Sequence, residues 1–155
     1  MRVRDRRASR RHVTLRRMSL TFVDLDTAKT ATDPVLVTSS LVPSPWSEAA
    51  KGLFRLARVP VLVVRRGLDK TAIDAWTGVD NVPALRHGNT VVTESAAILC
   101  YLADLFPEAK LAPPPGERGA YYRWLFFTAG CCESALADKA AGWTPDTPKL
   151  QGPAQ

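Results

Sequence analysis

The chain has 155 residues, 46% of them apolar and 23% charged, with a net charge of +6 and three cysteines. That length supports one domain with a proper core, and no apolar run reaches the eighteen or so residues that a membrane span needs. Eight of the 21 basic residues are arginines within residues 1–17, beside one aspartate, which leaves 13 basic against 14 acidic residues for the remainder. The basicity therefore belongs to a tail, and the folded part is expected to bind neither nucleic acid nor membrane.

That tail, MRVRDRRASRRHVTLRRM, admits three readings. It suits an organellar targeting segment, a disordered arm for polyanions, or an extension upstream of a true start at Met18. Residues 1–33 as a whole are expected to be a basic, disordered extension. Within them TFVDLD alternates apolar and acidic residues and suits an edge strand.

Val35 to Thr38 is a β-branched run that reads as the first core strand. Pro43 and Pro45 break the backbone before a helix, and Pro45 falls near the first turn, where proline is tolerated. From 46 to 58, Trp46, Ala49, Ala50, Leu53, Phe54 and Ala57 recur at helical spacing and predict one buried face. Pro60 ends that helix, and VPVLVV reads as a fully buried strand. Asp69 to Trp76 is a short helix or loop. Two apolar runs flank Gly88-Asn89 and predict a hairpin. A helix from Ser95 to Phe106 follows, with the Ser95 hydroxyl expected at its N-cap.

Residues 107–119, with three consecutive prolines, read as a semi-rigid linker. Residues 120–141 read as one long helix. AYYRWLFFTAGCC is apolar almost all round and should be buried between layers. A lone apolar helix cannot bury itself, so a partner surface or a liability to misfold is implied.

Three cysteines, without a Cys-x-x-Cys pair, make neither a disulfide framework nor a dithiol redox site, and point to a reducing compartment. His12 and His87 are far apart and suggest no metal site. The chemistry gathers instead at NVPALRHGNTVVTESAAILCYLADLF. A helix start with free N–H groups, a hydroxyl and an adjacent carboxylate can hold both ends of an amino acid.

Over roughly residues 35–140 the chain resembles the cytosolic glutathione transferases. The likeness is strongest in the VP…TES…AIL..YL pattern from Val82 to Tyr101 and in GAYYRWLFFTAG. It implies an α/β fold, with a thioredoxin-like βαβαββα domain over 34–107, the linker at 108–119, and a partial all-α domain over 120–155, of which only the first helix is expected. It implies conjugation of the glutathione thiolate to a hydrophobic electrophilic small molecule, as in detoxification. Glutathione is then a co-substrate and no cofactor or metal is needed. A cytoplasmic homodimer is the implied setting.

The segment PSPWSEAAK resembles the start of the first helix in serine-type transferases. On that match Ser44 is the activating hydroxyl and Ser47 the runner-up. Val82 and Pro83 match a cis-proline position whose backbone pairs with the cysteinyl unit. Ser95 matches the ligand of the glutamyl carboxylate and Glu94 that of the amino group. Tyr121 and Tyr122 fall where the family faces its electrophile. The chain departs from the pattern at Glu48, Ala49 and Ala50, where an arginine is common, and at Asp80-Asn81, where a lysine would hold the glycyl carboxylate.

One hydrogen bond suffices in principle for such a site. Lowering a thiol pKa by about two units takes roughly 2.7 kcal/mol, and a hydrogen bond to a charged group supplies about 1.5–3 kcal/mol. The competing readings are a non-catalytic binding or scaffold module of the same fold, and an inactive fragment.

Overall fold

A computed structural model describes residues 20–41, 43–67 and 69–143. The arginine-rich start and the segment after Trp143 lie outside the described residues. Five strands form one mixed sheet in the order β1-β3-β2-β4-β5. These are β1 (Leu20–Phe22), β2 (Val35–Thr38), β3 (Val61–Arg65), β4 (Ala84–His87) and β5 (Thr90–Thr93). β1 and β2 each pair parallel with β3, and β4 pairs antiparallel with β2 and β5.

β2 is buried along its whole length because it lies at the centre of the sheet, with packed layers on both faces. On one face Leu36, Val63 and Leu85 meet Ala50 and Phe54 of α2 (Pro45–Ala57) and Ile98 and Leu102 of α4 (Ser95–Leu105). On the other, Val35, Val37 and Val64 meet Leu25 and Ala28 of α1 (Leu25–Lys29) and Ile73 of α3 (Lys70–Thr77). The alternation of Leu36 against Val35 and Val37 is the period-two pattern of a strand with two covered faces.

The βαβαββα order holds from β2 to α4, and the domain is thioredoxin-like. The lead-in does not match the expected disorder over residues 20–33. Leu20–Phe22 adds an edge strand to β3, and α1 buries Leu25 and Ala28. Asp24 caps α1 by accepting from the Thr27 N–H at 2.8 Å. The sequence signal was the Asp-x-x-Thr start, which the acidic alternation hid.

Two further expectations need correction. The VPVLVV strand is not fully buried, since Leu62 is only partly buried. The buried face of α2 is Ser47, Ala50, Phe54 and Ala57, with Trp46 turned out at 45% exposure. The helix is rotated because Ser47 Oγ accepts the Ser39 N–H at 3.0 Å and so faces β2.

The hairpin turn between β4 and β5 has Gly88 at φ 60°, while Asn89 does not take a positive φ. Glycine at the first central position is what a two-residue II′ turn requires. Beyond α4, two single 3₁₀ turns at Pro107–Ala109 and Pro115–Glu117 punctuate the linker. Arg118 fastens it by donating to the Pro113 carbonyl and the Asp104 carboxylate, both at 2.9 Å.

α5 (Gly119–Phe126) runs through a π-helical stretch, Phe127–Cys132, into α6 (Glu133–Ala140). Contrary to the expected burial between layers, no residue of these three segments is buried. Among the described residues there is no second helical layer to cover the outer face. Trp124, Phe126, Phe127, Leu136 and Trp143 are accordingly exposed. No described helix is long and apolar enough to cross a membrane.

Candidate functional site

A cavity of about 240 Å³ opens where the start of α2, the loop before β4, the start of α4 and the α5–α6 helix meet. Its walls include Trp46, the Val82-Pro83 pair, Glu94 and Ser95. The Val82–Pro83 peptide bond is cis. Sheet pairing begins at Ala84, so Val82 sits outside the ladder, at the edge of the cavity.

At the start of α4 the structure alters the expected cap. Glu94, not Ser95, is the N-cap residue, and no side chain caps the helix. Ser95 is the first helical residue, and its Oγ donates to the Trp46 carbonyl at 3.4 Å, tying α4 to α2. The first N–H groups of an eleven-residue helix are therefore left without a capping side chain. Ser95 and Ala96, which carry the first of them, line the cavity. Such groups, with the positive end of the helix dipole, attract an anion.

Glu94 is held at φ 70° and ψ 123°, in the left-handed half of the map that favours glycine. A side chain there costs on the order of 1–3 kcal/mol, and such outliers gather at functional sites. Its Oε1 accepts from Asn81 Nδ2 at 3.5 Å, across the cavity mouth.

Ser44 is the N-cap of α2, followed by Pro45 at the first helical position. Its Oγ accepts the Ser47 N–H at 3.5 Å and its carbonyl accepts the Glu48 N–H at 2.9 Å. The cap bond uses an oxygen lone pair and leaves the Ser44 O–H free to donate elsewhere. Ser47 is different, being 2% exposed and engaged with Ser39. Where an arginine was expected, Glu48 and Lys51 pair with each other, and Lys51 lies over the Phe22 ring.

The structure thus brings Val82, Pro83, Glu94 and Ser95 to one cavity, and leaves Ser44 two residues from its Trp46 wall. Ser47 is folded away from it. Tyr121 and Tyr122 do not line it. Tyr121 turns inward, where burial, reinforced by the adjacent Cys100 thiol, pushes its hydroxyl up to about 12. Among the described residues that hydroxyl has no hydrogen-bond partner. Tyr122 packs at a tilt against Tyr121 and Phe126 and takes a hydrogen bond from Arg118 at 3.3 Å. Ala129 and Glu133, about two and three turns further on, line the cavity.

Sequence reasoning missed Glu133 as well as Trp46 and Asn81. Trp46 was visible as an aromatic at a helix start, but its spacing assigned it to the core. No signal marked Glu133, whose place depends on how the last helix packs. The described residues hold no group of His, Cys, Asp and Glu that could bind a metal.

A thioredoxin-like sheet, a cis proline and an open helix N-terminus on one cavity are the layout of the glutathione transferases. Residues 43–105 match the family model of the glutathione S-transferase N-terminal domain. A probable glutathione transferase omega-2 of Caenorhabditis elegans is 36% identical over 73 residues, 44% of this chain and 29% of that protein. A theta-class glutathione S-transferase of Xanthomonas axonopodis pv. citri, solved with glutathione bound, superimposes with a TM-score of 0.59 at 25% identity. The match covers 78% of this chain and 59% of that one. A glutathione transferase homologue from Sulfitobacter, also with bound glutathione, gives 0.58 at 25% identity over 76% and 59%. A glutathione transferase of Methylococcus capsulatus gives 0.56 at 28% identity over 74% and 58%. The chain spans under a third of the curated relative and about three fifths of these structures.

Proposed function

We propose that this chain binds glutathione in the cavity beside Val82-Pro83 and conjugates its thiolate to hydrophobic electrophiles. The glutamyl carboxylate sits on the Ser95 hydroxyl and the first N–H groups of α4, and Glu94 takes the amino group. The Val82 backbone pairs with the cysteinyl unit as an added strand would. The Ser44 O–H donates to the sulfur and holds it as thiolate, acting as a hydrogen-bond donor and not as a nucleophile. The thiol proton passes to solvent, and the thiolate sulfur forms the new bond to the electrophilic carbon as that carbon's bond to its leaving group breaks, the leaving group departing to solvent with the electron pair. A cytoplasmic homodimer is the proposed setting, in keeping with three free cysteines.

The observation that carries this reading is the uncapped start of α4 in the same wall as the cis proline. The test is calorimetric titration with glutathione. Binding that Ser95→Ala weakens about ten- to hundredfold is expected, for loss of a hydrogen bond to a charged group. A folded sample that ignores glutathione rules the proposal out and leaves a scaffold module of the same fold. That second reading has its own support in the broad apolar face left open on α5 and α6.

A further inference from the structure

The cavity has two walls of different origin. Trp46, Val82, Pro83 and Ser95 belong to the sheet domain, whereas Ala129 and Glu133 come from the helical segment. In the glutathione reading every contact to the tripeptide comes from the sheet domain. The helical wall is left for the group that the sulfur carries.

That wall is loosely held. No residue of α5, the π-helical stretch or α6 is buried, so close packing does little to fix the angle at which the helix leaves the linker. Hydrogen bonds at its start set that angle. Arg118, the partly buried residue before α5, donates to the Pro113 carbonyl in the linker and to the Asp104 carboxylate at the end of α4, both at 2.9 Å. It donates also to the Tyr122 hydroxyl in α5 at 3.3 Å. A planar guanidinium with fixed donor directions sets orientation as well as distance. Asp104 is 64% exposed, so solvent screens its charge and the pair adds little to stability.

Leverage makes the angle matter. Ala129 lies eleven residues beyond Arg118, about 16 Å along a helix axis. A swing of about 10° at Arg118 carries Ala129 by about 3 Å. A gap of only about 0.5–1 Å already forfeits a quarter to a half of a van der Waals contact.

We propose that Arg118 is a positioning residue, which sets where the helical wall stands over the cavity and thereby how tightly the site grips the group carried on the glutathione sulfur. The assignment rests on the glutathione reading above and adds to it a residue that touches no ligand.

The experiment is a set of calorimetric titrations on the folded full chain. Glutathione and S-hexylglutathione are titrated into wild type, Arg118→Gln, Arg118→Lys and Asp104→Asn, with thermal melts alongside. Wild type is expected to favour S-hexylglutathione by at least about tenfold, for burial of about two methylenes against the helical wall. Arg118→Gln should lose most of that preference while its glutathione affinity stays within about twofold, as for a site distant from the ligand. Arg118→Lys should recover part of the preference through Asp104. Asp104→Asn breaks the same clamp from α4, at an exposed position that tolerates the change, and should lose the preference in part.

An undiminished preference in Arg118→Gln and Asp104→Asn overturns the role of Arg118 and leaves the glutathione reading intact. So does a loss of both ligands in step with the melting temperature, which is what a merely structural role produces. Equal binding of the two ligands by wild type overturns the contact of the helical wall with the sulfur's substituent, and the proposal with it. Absence of glutathione binding in every folded variant overturns both readings together.

Discussion

Ser44 and Ser47 both stand in the first turn of α2, yet they do different work. Each accepts a backbone N–H, from Ser47 and Ser39 respectively. Ser44 remains half-buried with its proton available, while Ser47 is 2% exposed and out of reach of any ligand. Substitution should separate them. Ser44→Ala is expected to slow conjugation by a factor of about ten to a thousand, or roughly 1.5–4 kcal/mol, with little change beyond a lost cap in stability. Ser47→Ala is expected to leave glutathione affinity within about twofold, because its bond serves α2 and β2 rather than a ligand. It should lower stability by about 1–2 kcal/mol, since the Ser39 N–H loses its acceptor. Urea unfolding beside a conjugation assay reads both. A rate unchanged in Ser44→Ala would remove that residue from the mechanism.

Among elements, α3 adds an ion-pair tie to the burial of Ile73. Asp74 takes both Arg66 Nε and an Arg66 Nη at 2.6 Å, and Lys70 adds a bond at 2.9 Å. The Arg66 hydrogen bonds, with Lys70 assisting, hold the Asp74 carboxyl at about 2, below the ordinary carboxylate value of 3.8. Because the folded pKa is depressed, the contribution is complete above the unfolded value near 4 and fades as pH falls through about 2. The stability gap between wild type and Asp74→Asn, from urea midpoints, is therefore expected to stay constant from pH 7 to 5. It should narrow between pH 4 and 2. A gap independent of pH would mean that the ion pair does not anchor α3. This tie was not legible in the sequence, where Asp69 to Trp76 gave a poor apolar pattern. β4, β5 and α4 were legible, because Gly88-Asn89 fixes the turn and the flanking runs alternate. The cap of α4 was misplaced by one residue, since Thr-Glu-Ser looks like a hydroxyl cap and nothing in the pattern reveals the φ of Glu94. Glu133 was invisible for a different reason. It joins residues far away in the chain, and only packing of the last helix brings it there.

For the whole molecule the unresolved energy lies on the uncovered surface of α5 and α6. Trp124 is 59% exposed, Phe126 63% and Leu136 68%, and they lie on one continuous stretch of helix. Trp124 packs edge-on against Phe127 at 5.8 Å, so the rings form a preassembled cluster. Clusters of large exposed apolar side chains mark association surfaces. Charge does not oppose contact between two copies. From 120 to 143 the chain carries Arg123 and Lys139 against Glu133 and Asp138, a balanced pair of each sign. A twofold contact through this face is isologous, so each cluster can cover the other. The mass from light scattering is therefore expected to rise from the 16.9 kDa of one chain toward twice that as concentration increases. Phe126→Glu with Leu136→Glu should hold it at the single-chain value, because each dimer would then bury four unpaired carboxylates. Neither Phe126 nor Leu136 lines the cavity, so glutathione affinity, measured alongside, is expected to be retained. Association lost with affinity retained assigns the face to self-contact, whereas a wild-type mass that stays at one chain at high concentration removes the dimer.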